Sequence, residues 1–563
     1  MSTRKKTTRV TASAQPVSKV DPRYLSVALD IGQIAEPTRF WNPDGSGECS
    51  CRPSFDFSST RLSNLSAALA PAYLRIGGTE ADRCFYALDC TNPLDTPPPP
   101  PPPHSSVLTA AHLDSLGAFA NRCGFDLAFC VNAGRGARVD EGGAWESAQA
   151  RSLMRYVTAH AIPVRVYEFG NEPNAWPLFH HNLTVQPEAY ARDLATLIAL
   201  RDECAADARI AAPATAYWPT LGEVPALGWV AGAWRPTLIR DYLGRVLRAA
   251  TRAPDIVSWH YYPGLSDRSN LAMHRNKAKA AGLAAGACAV AALVAATASP
   301  PEGVWARAAY GLSLAACTAI SAVGALWCFA VRPVSDPTSL RHVHVLDTVI
   351  RWAEVVRASI RSASDPHTPE RTPAVWLGET GSAQVGGQPG VSGTWAATLW
   401  WLDQLGSLAL LDTQVQVRQT LCGADYGLLD EATLSPTPEF WASVLWKRTM
   451  GDRVYRLEAT PPPPPTLRLY CHSAPDGRGR TVLAINLDAV AAEVEIDGAG
   501  AAAEAWVLDA PHLTARNVTV NGVEPCVATD GTVPTLSGMP LRARWRHDTV
   551  VVPPGAAVFV SVS

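Results

Sequence analysis

The sequence predicts an α/β fold, a (β/α)8 barrel of the TIM type followed by a β-sandwich, on three observations. Eight short β-like runs alternate with stretches of helical periodicity between residues 24 and 421. Beyond about residue 440 the texture changes to short alternating strands split by Gly, Pro and Asp. The first run lacks the Gly-rich phosphate turn expected of the rival architecture, an open doubly wound sheet.

Residues 1–20, "MSTRKKTTRVTASAQPVSKV", carry charge with no apolar segment behind it. They read as a disordered lead-in, or as a wrongly predicted gene start, rather than a secretory signal. The barrel is expected over 21–435. Its staves are "YLSVALD" (24–30), "AYLRIGG" (72–78), "FDLAFCVNA" (125–133), "VRVYEFGNE" (164–172), "ARIAAPA" (208–214), "DIVSWHYYP" (255–263), "AVWLGET" (374–380) and "QVQVRQTL" (414–421). Helical patterns between them include 187–208 and 344–363. The sandwich is expected over 436–563, from runs such as "TVLAINLDAV", "EAWVLDA" and "AVFVSVS".

Two segments interrupt the barrel. A loop over 94–106 contains seven consecutive prolines, Pro97 to Pro103, expected to be exposed polyproline II. The other, 276–335, holds two uncharged runs, 280–298 and 308–331, joined by "SPPEGVWAR". Each run is long enough to span a bilayer, and Lys277, Lys279 and Arg332 flank the pair on one side. A helical hairpin able to associate with a membrane is the expectation. A soluble apolar insertion or a misread gene segment is the alternative.

The chain has 563 residues, 47% hydrophobic and 18% charged, which suits a large core. A net charge of −3 gives no sign of a polyanion binder, nucleic acid included, driven by bulk charge, and leaves a local basic groove open. None of the thirteen cysteines forms a pair with the two-residue gap of a zinc knuckle or redox motif, so no metal is expected and buried thiols are. Sequons at Asn64, Asn182 and Asn517 give slight support for secretion.

In barrels of this kind the chemistry stands at the C-terminal strand ends. Two carboxylates qualify: Glu172 ends the fourth stave and Glu379 the seventh, each behind an apolar run and before turn residues. Across the barrel mouth such a pair can flank one glycosidic bond, one as acid/base and the other as nucleophile. Asn171, beside Glu172, is placed to bond a sugar hydroxyl.

"YEFGNEPNAW", "VWLGETGSAQVGG", "TWAATLWWLDQLGSLALLDTQVQVRQTLCGADYGLLDE", "YLSVALD", "AYLRIGGTEAD" and "DIVSWHYYP" together resemble the heparanase-like enzymes of glycoside hydrolase family 79. The resemblance runs from about residue 20 into the sandwich. It implies that Glu172 is the general acid/base, Glu379 the nucleophile, and Asn171 the partner of the sugar 2-hydroxyl. Asp30, Thr79 and Gln419 match polar groups of the same subsite, and His260 a neighbouring cleft residue. Tyr262 matches a tyrosine beside the nucleophile, with Tyr261 as the alternative. Val385, Gly386 and Gly387, with Tyr426, match the groups that hold the uronate carboxylate. Val385 stands where the family has glycine, a change that keeps a backbone donor unless the position needs positive φ.

The implied activity is retaining hydrolysis of β-glucuronide linkages, in glycosaminoglycan-type (heparan sulfate-like) or proteoglycan glycans, with no metal or organic cofactor. The alternative is a catalytically silent carbohydrate-binding homologue. The partner is a uronic-acid-containing polysaccharide or glycoconjugate, and the chain is expected to act as a monomer. The family suggests the secretory pathway, the cell exterior or a lysosome-like compartment. The linker that animal heparanase excises is short here, so activity without processing is expected. Cys471 matches a disulfide cysteine, but the chain lacks the expected late partner, so that bridge is expected to be absent.

Overall fold

Eight parallel strands close on themselves: β1 (Leu25–Asp30), β2 (Ala72–Gly77), β3 (Phe125–Val131), β4 (Val164–Phe169), β5 (Arg209–Ala211), β6 (Ile256–Tyr261), β7 (Ala374–Thr380) and β8 (Thr413–Arg418). β8 pairs with β1 at Val417↔Ser26. β5 meets β6 at Ala211↔Ile256, and the short strand Thr215–Tyr217 continues the contact along β6. All eight expected staves are present in the expected order. The computed structural model describes residues 7–41, 49–51, 55–89, 98–138, 143–180, 183–217, 241–298, 302–330, 335–363, 372–500, 503–541, 545 and 549–562.

A helix follows each stave: α1 (Thr60–Ala67), α2 (Ala110–Cys123), α3 (Ala148–Ala159), α4 (Pro187–Cys204), α5 (Tyr242–Ala249), α6 (Thr348–Ala363), α7 (Trp395–Ala409) and α8 (Pro438–Thr449). β6 shows how period-two alternation builds both layers. Val257, Trp259 and Tyr261 pack outward with Trp352 and Val356 of α6. Ser258 and His260, on the opposite face, turn into the barrel, where their partners are Glu168 and Glu172.

α7 is buried along its whole length, which explains why "WAATLWWLDQLGSLA" is apolar on every side. It lies between the barrel and the C-terminal sheets. The ring of Tyr470 presses on Gly406, where a Cβ would sit 2.2 Å from Tyr470 Cγ, so only glycine fits. The Tyr470 hydroxyl donates to Asp403 Oδ1 at 2.5 Å, and Arg468 Nε donates to the same oxygen at 2.7 Å.

The C-terminal sheets form two layers. The smaller contains Leu457–Thr460, Ala492–Ile496 and Thr549–Val552. The larger is built on Leu467–Ser473, Arg480–Asn486, Ala557–Val562 and Glu504–Asp509. Val482, Val494, Val507, Val550 and Val558 pack between them. Cys471 joins this core as a free, buried thiol.

The N-terminal residues correct the expectation of a disordered lead-in. Thr8–Ala12 is a strand of the smaller sheet, antiparallel to Leu457–Thr460 and parallel to Ala492–Ile496. Ser18–Lys19 pairs with Arg453–Val454 of the larger sheet. The physical reason is the alternation in "TRVTA", which buries Val10 to 1% exposure and points Arg9 outward to Glu495. Five residues are too few to announce a strand when their partners lie more than 440 positions away.

The described prolines of the polyproline loop, 98–103, are mostly exposed and belong to no regular element; Pro97 lies outside the described residues. The apolar segment forms two long helices in the β6–α6 connection, Asn270–Ala298 and Val304–Ala330. Of the three sequons, Asn517 is exposed, Asn64 donates its side-chain amide to Asp530 O at 3.0 Å, and Asn182 lies outside the described residues.

Candidate active site

At the end of β4 the chain turns through Gly170 (φ 67°) and then Glu172, which takes the left-handed conformation φ 53°, ψ 54°. A Cβ on Gly170 would come within 2.9 Å of Trp176 and 3.0 Å of Ala133, so the turn needs glycine. Asp82 clamps it. One carboxylate oxygen accepts from the Asn171 amide (2.8 Å) and the Trp176 indole (2.8 Å); the other accepts from the Ala133 amide (3.0 Å). Burial pushes the Asp82 carboxyl up to about 6 against the pull of these donors. A left-handed glutamate costs energy, and here the surrounding bonds hold it. The result is a carboxylate aimed across the mouth.

Glu379 ends β7 opposite. Tyr262 donates its hydroxyl to Oε1 at 2.6 Å, and Arg75 Nη1 donates to Oε2 at 2.7 Å. Tyr262, just past β6, is therefore the tyrosine of this pair that meets Glu379. Tyr261 points the other way, into the outer core with Trp259.

Arg75, 1% exposed, is the hub of the site. Besides Glu379 it donates to Glu168 Oε1 through Nε (2.9 Å) and Nη2 (2.5 Å), and to Asn171 Oδ1 (2.8 Å). Ser258 closes the network on Glu168 Oε2 at 3.1 Å. His260 sits between the carboxylates, with Nδ1 3.0 Å from Glu172 Oε1 and 3.9 Å from Glu379 Oε2. Burial, then the nearby Arg75 charge, holds His260 well below its ordinary value, so it is neutral. Its Nε2 faces Arg75 Nη2 at 3.5 Å, which can only donate. That places the imidazole proton on Nδ1, toward Glu172.

One donor atom each from Glu172, His260 and Glu379 lie within 4.8 Å of one another. Such a trio can in principle hold a cation. Here a guanidinium already occupies the Glu379 side, and a metal ion would have to sit beside that charge.

The remaining candidates gather around this centre. Asp30 ends β1, and a Cβ on Gly78 would lie 2.0 Å from its Oδ2, so the start of the Thr79–Arg83 turn abuts it. Burial, with Glu379 and Glu80 adding repulsion, pushes Asp30 up to about 8, so it carries a proton at neutral pH and can donate. Thr79 is half-buried in that turn. Gln419 follows β8, its backbone amide donating to Thr380 O at 2.8 Å and its buried Oε1 left without a hydrogen-bond partner among the described residues. Tyr426 shares an apolar cluster with Tyr262, Phe40, Ala175 and Ala216. Burial, with Glu379 as a negative neighbour, raises its phenol.

Val385, Gly386 and Gly387 run at φ 57°, 80° and 93°. The valine therefore stands where positive φ is required, the case in which replacing glycine is not free. A β-branched residue there is strained. Cross-links hold the loop: the Asp425 amide donates to Gly386 O at 2.9 Å, and the Ser266 hydroxyl donates to Gly387 O at 2.8 Å.

The sequence reading did not single out Arg75, Glu168, Asp82 or Ser258. A signal existed: Arg75 interrupts "AYLRIG" and Glu168 interrupts "VRVYEF", both otherwise apolar strands. A charge inside a buried strand demands a partner of opposite sign.

A family model described as "Glycosyl hydrolase family 79, N-terminal domain" matches residues 40–217, the part that carries Arg75, Asp82, Asn171 and Glu172. Heparanase-like protein 1 of Arabidopsis thaliana is 25% identical over 501 residues, covering 86% of this chain and 74% of that protein. Baicalin-beta-D-glucuronidase of Scutellaria baicalensis is 25% identical over 566 residues, covering 94% and 88%. The crystal structure of a 4-O-alpha-L-rhamnosyl-beta-D-glucuronidase from Fusarium oxysporum 12S matches 99% of the chain and 100% of its own with a TM-score of 0.58 at 14% identity, a likeness of fold. With the barrel and the paired carboxylates at its mouth, these matches show a glycosidase that is similar to the heparanase-like enzymes of glycoside hydrolase family 79.

Proposed function

We propose that the protein hydrolyses β-glucuronide linkages by double displacement, with Glu379 as nucleophile and Glu172 as acid/base. The observation that carries this reading is the spacing of the two carboxylates, whose nearest oxygens lie within 4.8 Å. Retaining enzymes hold their carboxyl groups roughly 5–5.5 Å apart, and inverting ones about 6.5–9.5 Å, to leave room for a water.

Glu379 attacks the anomeric carbon while Glu172 gives its proton to the leaving oxygen. Water then enters, Glu172 takes a proton from it, and the ester to Glu379 breaks with overall retention. A cationic His260 would hold Glu172 ionised, so its neutrality suits the acid step. The negative Glu379, with an oxygen within 4.8 Å of one on Glu172, repels a second charge there. Once Glu379 is esterified, part of that repulsion disappears and Glu172 can act as base. Arg75 and Tyr262 orient Glu379 and stabilise it as a leaving carboxylate.

Specificity for a uronate rests on the Val385–Gly387 loop and Tyr426, supported by relatives named for heparanase and for a β-glucuronidase. Asp30, Thr79, Asn171 and Gln419 supply hydroxyl contacts; the unpaired Gln419 Oε1 is an acceptor that a sugar hydroxyl would satisfy. The substrate class is a glucuronic-acid-containing glycan of glycosaminoglycan or proteoglycan type, met by a monomer in the secretory pathway or outside the cell. The barrel, taken as 21–435, does the chemistry; the sandwich, 436–563, buttresses it with the N-terminal strands. The Arg75–Glu168–Glu379 network argues against a silent binding homologue, since binding alone needs no oriented nucleophile.

Glu172→Ala separates the two roles. Turnover of glucuronides with poor leaving groups is expected to fall by about 10²–10⁴-fold. Aryl glucuronides with activated leaving groups should lose less, and azide should restore turnover by giving the β-glucuronosyl azide. An α-azide, or no rescue, would move the acid/base role elsewhere. If the unmodified protein turns over no glucuronide at all, the binding reading replaces this one.

A further inference from the structure

Among the described residues, little covers the hairpin in the β6–α6 connection. Leu283, Leu293, Val294, Trp305, Leu312 and Ile320 are between 50% and 87% exposed. The helices are neither core elements nor N-terminal: only 11% and 6% of their apolar stretches are buried. Apolar residues circle the first helix rather than lining one face, so a protein groove would leave much of it bare.

Four observations specify a lipid bilayer as the occupant. The apolar stretches Lys277–Thr297 and Val304–Ala325 have 21 and 22 residues, mean hydropathies 1.9 and 1.5, and lengths of about 30 Å, the thickness of a hydrocarbon core. The helices meet backbone to backbone at glycines: a Cβ on Gly324 would lie 2.7 Å from Ala278 O and 3.0 Å from Gly282 Cα. Such small-residue contacts associate helices without help from water. Hydroxyls fold back on helix carbonyls, Tyr310 on Ala292 O, Thr297 on Val294 O, Ser313 on Ala309 O and Thr318 on Leu314 O, as a lipid setting requires. Lys277 and Lys279 are exposed where the first helix leaves the barrel, complementary to anionic headgroups.

The root of the hairpin is wired to the catalytic mouth. The first helix begins eight residues after Tyr262. Between them, Ser266 donates to Gly387 O at 2.8 Å, Arg268 pairs with Asp425 beside Tyr426, and Ser269 accepts from Gln384 Nε2 at 3.4 Å. On the return, Ser335 donates to Ser382 O at 3.2 Å. The apolar stretch starts seven residues into the helix, about 10 Å from this root.

We propose that the hairpin is a bilayer anchor that holds the barrel mouth at the membrane surface, so that the enzyme works on glucuronosyl groups carried by membrane-held molecules. The substrate half rests on the glucuronidase reading above; the anchor half does not.

The full chain is tested for flotation with phosphatidylcholine vesicles, with and without phosphatidylserine, against a Leu293→Glu/Leu312→Glu variant. Both substitutions are on exposed positions, so unchanged thermal unfolding and aryl-glucuronide hydrolysis show the variant is intact. The full chain should float with both vesicle types and stay bound in high salt and alkaline carbonate. The variant should bind about tenfold less or worse. With a glucuronosyl diacylglycerol in the vesicles, the full chain should outpace the variant by about tenfold at equal aryl-glucuronide rates. Three outcomes overturn the anchor: a full chain that stays in solution, one released by salt alone, or one that forms a lipid-free dimer through the hairpin instead of floating. Equal rates on the glucuronosyl lipid overturn the substrate half. Flotation without hydrolysis of any glucuronide sinks the glucuronidase reading and leaves the anchor standing.

Discussion

Replacing Glu379 with glutamine should reduce turnover of an aryl β-glucuronide by about 10⁴-fold or more, with the fold intact. The amide keeps the shape of the carboxylate. Its oxygen can still accept from Arg75, and its nitrogen can donate to the Tyr262 hydroxyl, which now sits beside Glu379 at 2.6 Å. What it loses is the negative charge and the lone pair that would bond to the anomeric carbon. Thermal unfolding of the variant should therefore stay close to that of the parent while kcat collapses. A variant that retained a tenth of the parent's kcat would show that another group is the nucleophile.

Arg75→Met should destabilise the barrel by roughly 3–5 kcal/mol and remove activity with it. Arg75 is the only described cation within ion-pair distance of Glu168, and it also pairs with Glu379. Deleting it strands two carboxylates beneath the mouth, where Glu168 is 3% exposed. The cost is the desolvation of unpaired charge, so it should shrink when Glu168→Gln is added to the same chain. Denaturant unfolding of the single and double variants measures this. If Arg75→Met alone unfolds like the parent, the network does not have the role assigned to it.

Much of the architecture was legible because period and length are strong signals. The eight staves alternate with helices at barrel spacing, and Glu172 and Glu379 fall where strand pattern gives way to turn residues. The sequence could not reveal which side chains a carboxylate meets, because Arg75 and Asp82 come from β2 and the turn behind it, and His260 from β6, all distant in sequence from Glu172 and Glu379. Tyr261 and Tyr262 are neighbours in sequence, and only the alternation of β6 decides that Tyr262 reaches Glu379. One reading went wrong for a local reason. Thr8–Ala12 is strand only because strands from the far end of the chain flank it. Val385 was read as keeping a backbone donor unless the position needs positive φ, and its φ of 57° is that case. Handedness of a loop residue leaves no trace in hydropathy.

The account depends on two carboxylates serving one anomeric centre in succession, and the first-formed anomer reports on that directly. Proton NMR of an aryl β-glucuronide in the first moments of hydrolysis, before mutarotation, should show β-glucuronic acid appearing first. Initial appearance of the α-anomer would mean direct displacement by water, and would contradict Glu379 as a covalent nucleophile.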